Sequence, residues 1–416
     1  MRNYKINIKD VLIKISLLIY SFVILIRPYL IKILGSNKAV LLLMLCGIVS
    51  ILIWMVILNK IRVSNMGYIT ICIFMFIPFL YKNAYMQDGY YTYLFYYLYT
   101  IIFCILLSFI KLNEEDMLFI MKIFIVFAFI TSLITWFSFI YPKLYDLIFI
   151  SALPIEDQLI ARHDFWNLGM RMGLSNHYSR NAFYIVLGVI GSIILYKKNM
   201  KKKYIVLALF FLVTLLLVGK RAHLLFLIIA IFISYMIYEK TSFKKIINIL
   251  KYVSLGAIFL TVVIIFIPGT STIIERLFNT NGVDISTGRF ELYRRVWKLF
   301  MNNSYSPIGW GQFSKSTNYF FAGVHNDYLQ LLCETGIVGF CFIIISNIYI
   351  LIKTIFIARS KKNPIILGVL IYQVFFMIYS LTGIPHYDIE TYMVYFVFAC
   401  FVWNICSYNR RIKYVK

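Results

Sequence analysis

Apolar runs of roughly 17 to 25 residues alternate with short polar stretches from one end of the chain to the other, a rhythm set by the length of helix that crosses hydrocarbon. Lipid imposes it, because every backbone polar group there must be satisfied within a helix. Twelve spans fit, at about 11–34, 39–58, 66–81, 90–110, 117–141, 181–196, 204–219, 222–238, 246–267, 328–355, 364–382 and 388–407. The expected fold is therefore all-α, a polytopic integral membrane protein with about 12 transmembrane helices. Residues 1–416 read as a single membrane domain, with a first outer loop at 142–180 and a large outer loop at 268–327.

The polar connections come in two kinds. Those at 59–62, 111–116, 197–203, 239–245 and 359–363, with the C-terminal run N-R-R-I-K-Y-V-K, are nearly all lysine-rich. By the positive-inside rule they belong in the cytoplasm, together with both termini. The others, at 82–89, 142–180, Gly219–Arg221, 268–327 and 383–387, then lie outside. The count closes without forcing, since one missed helix would put half the basic loops on the wrong side.

Composition sharpens this picture. The chain is 62% hydrophobic and 14% charged, against about a quarter charged for a water-soluble domain. A net charge of +24 raises nucleic acid as a partner, but the lysines sit in short loops that bound apolar runs, which excludes it. The seven cysteines show no CxxC spacing and point to neither a metal nor a disulfide framework. The basic N-terminus precedes a long apolar run without a small-residue cleavage site, so a retained first helix is expected.

Candidate chemistry gathers in the outer set. Thr287 to Phe300 reads as an amphipathic helix on the membrane face. Glu291, Arg294, Arg295 and Lys298 share one side; Phe290, Tyr293, Val296, Trp297 and Phe300 share the other. Glu291 is placed to pair with Arg295 at i,i+4, and Ser286, Thr287 and Gly288 are helix starters. Arg289 projects onto the apolar side, either fraying into solvent or turning into a cavity to meet an anion. Gly219-Lys220-Arg221-Ala222 follows a short span, so its charges sit deep, where a cavity or partner usually receives them. Arg221 also opens a helix whose dipole attracts anions; snorkelling is the plainer account of both cations. His325 precedes Asn326-Asp327, good caps for the helix that re-enters the membrane, and is a candidate general base. His177 and Arg180, before the sixth span, are further candidates to line the same cavity. His163 and His386 carry weaker cases, and His223 lies within a span, where a hydrogen bond to a neighbouring helix accounts for it.

Four motifs, G-K-R-A at 219–222, S-T-G-R-F-E-L-Y-R-R-V-W at 286–297, P-I-G-W-G at 307–311 and V-H-N-D-Y-L-Q-L-L-C-E-T-G-I-V-G at 324–339, occur in this order. They resemble the bacterial O-antigen ligase and O-antigen polymerase superfamily over roughly residues 205–345. The resemblance implies an α-helical, glycosyltransferase-C-like fold and a glycan donor on undecaprenyl pyrophosphate, with no cofactor or metal required. It implies that Arg221 and Arg289 neutralise the pyrophosphate leaving group and that His325 activates or orients the acceptor hydroxyl. Lys220, Arg294, Arg295, Arg180, His177 and Asn326 are secondary candidates for pyrophosphate or sugar. Transfer with inversion is expected. The segment L-S-N-H-Y-S-R-N at 174–181 departs from the family's G-x-F-x-x-x-N-like run.

Within the superfamily the expectation is a polymerase of O-antigen or capsular repeat units, which extends a lipid-linked acceptor at the outer face of the bacterial inner membrane. A chain-length regulator is a possible partner. The alternative is a ligase that delivers the glycan to lipid A-core. A transporter or flippase of lipid-linked sugars is a reading from another class; it calls for repeats and for broken helices at the midplane.

Overall fold

The computed structural model describes residues 8–58, 91–110, 112–239, 289–302, 307–313 and 323–414. Among these residues the fold is all-helical. The helices are α1 (Ile8–Leu34), α2 (Ser36–Leu58), α3 (Tyr91–Ser108), α4 (Glu114–Ile140), α5 (Pro142–Tyr145), α6 (Ile155–Arg162), α7 (Tyr178–Asn199), α8 (Lys203–Leu217), α9 (Arg221–Glu239), α10 (Arg289–Asn302), α11 (Asp327–Ser360), α12 (Pro364–Tyr379) and α13 (Ile389–Tyr414). Seven of them, α1, α2, α4, α7, α9, α11 and α13, are long and apolar enough to cross a membrane, and α3, α8 and α12 carry shorter apolar stretches. Ten of the twelve expected spans thus fall on apolar helices. The spans expected at 66–81 and 246–267 lie outside the described residues.

Capping sets several boundaries. Asn113 and Asp116 form a capping box at the start of α4, Asn363 caps α12 ahead of Pro364, and Asn326 caps α11 by accepting from Leu329 N at 3.1 Å. The first outer loop is itself folded: α5 continues into a π-helical turn at Asp146–Ile150, and α6 into a second at His163–Asn167. Tyr145 and Phe165 stack at its centre.

Burial ranks the helices. In their most apolar windows α7 is 72% buried and α13 78%, against 28% for α1 and for α9. α12 is apolar all round and nearly all buried, as a helix surrounded by protein should be. α7, α12 and α13 form the core, and the outer helices present Phe22, Leu45, Phe129, Leu225 and Phe356 outward, where lipid is the natural solvent.

Ion pairs and hydrogen bonds sort the chain termini of the helices into two ends. At one, Glu239 of α9 meets Lys197 of α7 (3.4 Å) and Lys362 (2.8 Å), and Lys198 meets Glu114 of α4 (2.5 Å). At the other, Arg180 of α7 meets Asp388 (3.3 Å), Lys220 lies 4.8 Å over the Tyr178 ring, and Asp327 hydrogen-bonds His386. The first end collects connections read as cytoplasmic; the second collects 142–180, 219–221, 323–327 and 383–387, all read as outer. Among the described residues, connections read as sharing a side of the membrane thus meet at one end of the bundle.

Close packing in the core depends on Gly188 of α7. A Cβ there falls 2.3 Å from Ala128 Cβ of α4 and 2.9 Å from the Phe211 ring of α8. At Gly368 of α12 a Cβ falls 2.1 Å from Ile194 Cδ1 and 2.5 Å from its Cγ1. We therefore expect Gly188→Ala to cost about 1–3 kcal/mol by overpacking. Gly368→Ala should cost a comparable amount, because Cγ1 of a buried β-branched side chain stands in the way; in both variants a helix-propensity gain of up to ~1 kcal/mol offsets part of the cost. Thermal melting of the two variants in detergent checks that both are destabilised.

Candidate active site

The site is built on the first turns of α11. Asp327, Gln330 and Glu334 stand at i, i+3 and i+7, on one face of that helix, and all three are buried. Each captures a neighbouring irregular segment. Glu334 accepts from Gly311 N (2.7 Å) and Phe313 N (3.0 Å), and its own backbone oxygen accepts from Gly309 N (3.1 Å). The glycines of P-I-G-W-G-Q-F make this possible, since Gly309 (φ 101°) and Gly311 (φ 73°) lie in the region that favours glycine. Trp310 between them stacks on Tyr387 at 4.5 Å and packs on Tyr97 at 4.4 Å.

Gln330 bridges Glu334 to the residue before the candidate base: its Nε2 donates to Glu334 (3.2 Å) and its Oε1 accepts from Val324 N (3.1 Å). Asp327 reaches the turn before α13, accepting from His386 Nδ1, His386 N (3.2 Å) and Ser380 Oγ (3.2 Å), and its N–H donates to Ser380 O (2.8 Å). The other His386 nitrogen pairs with Asn347 Nδ2 at 2.8 Å.

His325 is held between these anchors in the left-handed region (φ 54°), rarely adopted by a residue with a Cβ. Tyr293 of α10 donates to its carbonyl (3.2 Å). Burial, then the positive charges of Arg289 and Lys220, push its imidazole down from 6.5 to about 4. His177 is pushed further, to about 3, by burial, Lys220, Arg180 and His325 in that order. His177 Nδ1 caps α7 by accepting from Ser179 N (3.1 Å), and its ring stacks on Tyr178 at 4.2 Å. With Nδ1 engaged as an acceptor, the neutral ring carries its proton on Nε2.

Lys220, Arg289, His325 and His177 are thus brought together, four of the candidates read from sequence. Lys220 is half-buried on Tyr178, and Arg289, the first residue of α10, is half-buried as well. Arg221, the next residue after Lys220, lies exposed at the start of α9. Gly219 (φ 78°) makes the turn, and Val218 O accepts from Arg171 N at 3.2 Å. Asn326 serves as a cap.

Other candidates are placed differently. Arg294 and Arg295 are exposed and pair with Glu291 at 3.5 and 3.1 Å, so the expected i,i+4 pair forms. The buried side of α10 runs through Leu292, Val296 and Phe300, while Phe290 and Trp297 stay exposed. Arg180 is held by Asn176 (2.7 Å), Asp388 (3.3 Å) and Glu390 (3.8 Å). His163 is exposed, and His223 packs on Tyr379 at 4.3 Å with no hydrogen-bond partner for Nδ1 among the described residues. Sequence reasoning missed Glu334 and Gln330, and gave His386, now paired with Asp327, only a weak case. The signal for the first two was charge and amide at helical spacing inside an apolar run.

This is an all-helical membrane protein whose one end sets two cations beside two neutral histidines. Residues 206–344, about a third of the chain, match the family model described as O-Antigen ligase. No curated protein matches the chain. The matched stretch holds Lys220, Arg221, Arg289 and His325, and it supports the O-antigen ligase and polymerase superfamily for this chain, with a ligase- or polymerase-type function in general.

The Glu334 clamp is testable. Glu334→Ala leaves two buried N–H groups unpaired, at about 1–3 kcal/mol each. Glu334→Gln keeps one good acceptor and should lose roughly half as much. Denaturation in detergent should rank wild type above Gln above Ala; an Ala variant as stable as wild type would remove the clamp from the account.

Proposed function

We propose that the chain is a glycosyltransferase that polymerises O-antigen or capsular repeat units at the outer face of the bacterial inner membrane. The observation that carries this reading is the convergence of Arg289 and Lys220 on His325, inside the region that matches the O-antigen ligase family. Cations half-buried at a membrane surface suit a pyrophosphate, whose charge they neutralise as it leaves. Arg289, with Lys220 and Arg221, binds the pyrophosphate of a lipid-linked glycan. His325 takes the proton from the acceptor sugar hydroxyl.

In the step, the hydroxyl oxygen of the acceptor bonds to the anomeric carbon of the donor. The bond from that carbon to the pyrophosphate oxygen breaks, and undecaprenyl pyrophosphate departs with the electron pair. The hydroxyl proton passes to the His325 imidazole, and attack opposite the leaving group inverts the anomeric centre. His177 contributes a neutral N–H to the same space. A ligase acting on lipid A-core would use the same donor site, and it is the reaction for which the matched family is named.

The glycan profile of a deletion strain separates the two. Single repeat units with the long ladder gone support the polymerase. Long chains stranded on undecaprenyl pyrophosphate identify a ligase, and an unchanged profile sinks both in favour of transport.

Replacement of His325 by Ala should lower turnover about 10²–10⁴-fold, and of Arg289 by Ala about 10²–10³-fold, at unchanged abundance. The pH profile adds a sharper test. Because His325 stays neutral in the free protein down to about pH 4, the acid limb of kcat/KM should lie near 4 and not near the ordinary 6.5. Bound pyrophosphate counters Arg289 and Lys220, so the acid limb of kcat should move upward from there. A kcat/KM limb at the ordinary histidine value would refute the electrostatic account of His325.

A further inference from the structure

A cavity lies against Phe183, Tyr184 and Leu187 of α7, apart from Lys220 and His325. It encloses about 130 Å³ between the α1–α2 hairpin and the body formed by α4, α7 and α13. A single water needs roughly 10–15 Å³ and a dry apolar cavity of about 150 Å³ takes a benzene, so this space holds a short stretch of hydrocarbon. Ser21 and Ile24 of α1, Trp54 of α2, Phe124 of α4, Tyr184 of α7 and Met393 of α13 mark its wall.

Its polar wall groups are largely turned to partners. Ser21 Oγ donates to Leu17 O (2.7 Å), Ser50 Oγ to Cys46 O (2.7 Å), and Tyr20 OH pairs with Tyr99 OH (3.0 Å). Trp54 Nε1 and Glu390 Oε2 have no hydrogen-bond partner among the described residues; the rest of the wall is apolar and suits hydrocarbon. Ser21 and Ile24 face the cavity while Leu18, Ile19 and Phe22 beside them are exposed. α1 packs along α2 and only grazes α4, which leaves the cavity next to the bilayer-facing surface.

One end is charged. Glu390 lines the cavity and pairs with Arg27 (2.9 Å) and Arg180 (3.8 Å). Tyr184 lies one turn below Arg180 on α7. Arg27 and Arg180 thus flank the Glu390 carboxylate at this end. Arg180 and Lys220 both lie close enough to His177 to act on it electrostatically.

We propose that this cavity seats a segment of the isoprenoid chain of the lipid-linked acceptor, with its pyrophosphate at the Arg180 end. The proposal rests on the polymerase reading, which alone requires two isoprenoid-linked substrates. Donor and acceptor headgroups then flank α7, the donor toward Lys220 and Arg289, the acceptor toward Arg180.

Full-length protein in lipid nanodiscs, supplied with synthetic donor and with acceptors bearing a long or a truncated isoprenoid chain, tests it. Ser21→Trp should raise KM for the long-chain acceptor about tenfold, the cost of expelling roughly two methylene groups from apolar contact. It should leave donor KM and the truncated acceptor unchanged. A diazirine-bearing isoprenoid acceptor supplies the second measurement and does not depend on how the variant folds: its label on the wild type should map to α1, α4 and α13. Label confined to α9–α11, displacement of the label by ordinary phospholipid, or an unaltered acceptor KM in folded Ser21→Trp would overturn the site while leaving polymerisation intact. A wild-type protein that extends no lipid-linked acceptor would overturn the polymerase reading and the site with it.

Discussion

A buried carboxylate with both oxygens on backbone amides lets this chain carry irregular structure where a helix enters the membrane. Hydrocarbon tolerates non-helical backbone only where protein satisfies it. Glu334 does so for Gly311 and Phe313, Gln330 for Val324, and Asp327 for His386. The three stand on one face of α11, so a single helix holds the P-I-G-W-G turn, the His325 segment and the turn before α13 in one frame. His325 can then occupy a strained backbone conformation (φ 54°), because its neighbours on both sides are fixed.

The electrostatics follow from that frame. A histidine fixed between two cations is neutral and a weak proton acceptor in the free protein. In the proposed reaction the donor's pyrophosphate restores its basicity, so the base becomes competent only when the leaving group is in place. The same cations thus serve two steps, since they hold the anion and withhold the base until it arrives. His177, capped on Nδ1, cannot compete for the proton and can only donate.

Much of this was legible in the residues. Apolar run length located the ten described apolar helices, and lysine placement sorted their ends before any contact was known. Arg289, Lys220 and His325 were picked out because charge at such depth demands a reason. What escaped was long-range. Glu334 sat in L-C-E-T-G with no sequence signal that its partners lay 21 and 23 residues earlier, and Asp327 read as a helix cap because its partner His386 lies 59 residues away. On α10 the helical projection separated charged from apolar residues correctly but missed Leu292 on the buried side, because α11 covers only part of the apolar face.

The choice of arginine over lysine at the functional end has a geometric basis. Arg180 serves Asn176, Asp388 and Glu390 from one guanidinium, and so joins the start of α7 to the start of α13. A lysine offers a point charge and could not span three acceptors in different directions. At the opposite end, lysines from separate loops each meet one carboxylate, which is all that a solvated turn asks of them. α7 is therefore tied on both flanks at its first turn, through Tyr178 to Lys220 and through Arg180 to α13. As a central, largely buried helix it can hold two charged groups apart at a fixed distance, which a transfer between two anionic lipids requires.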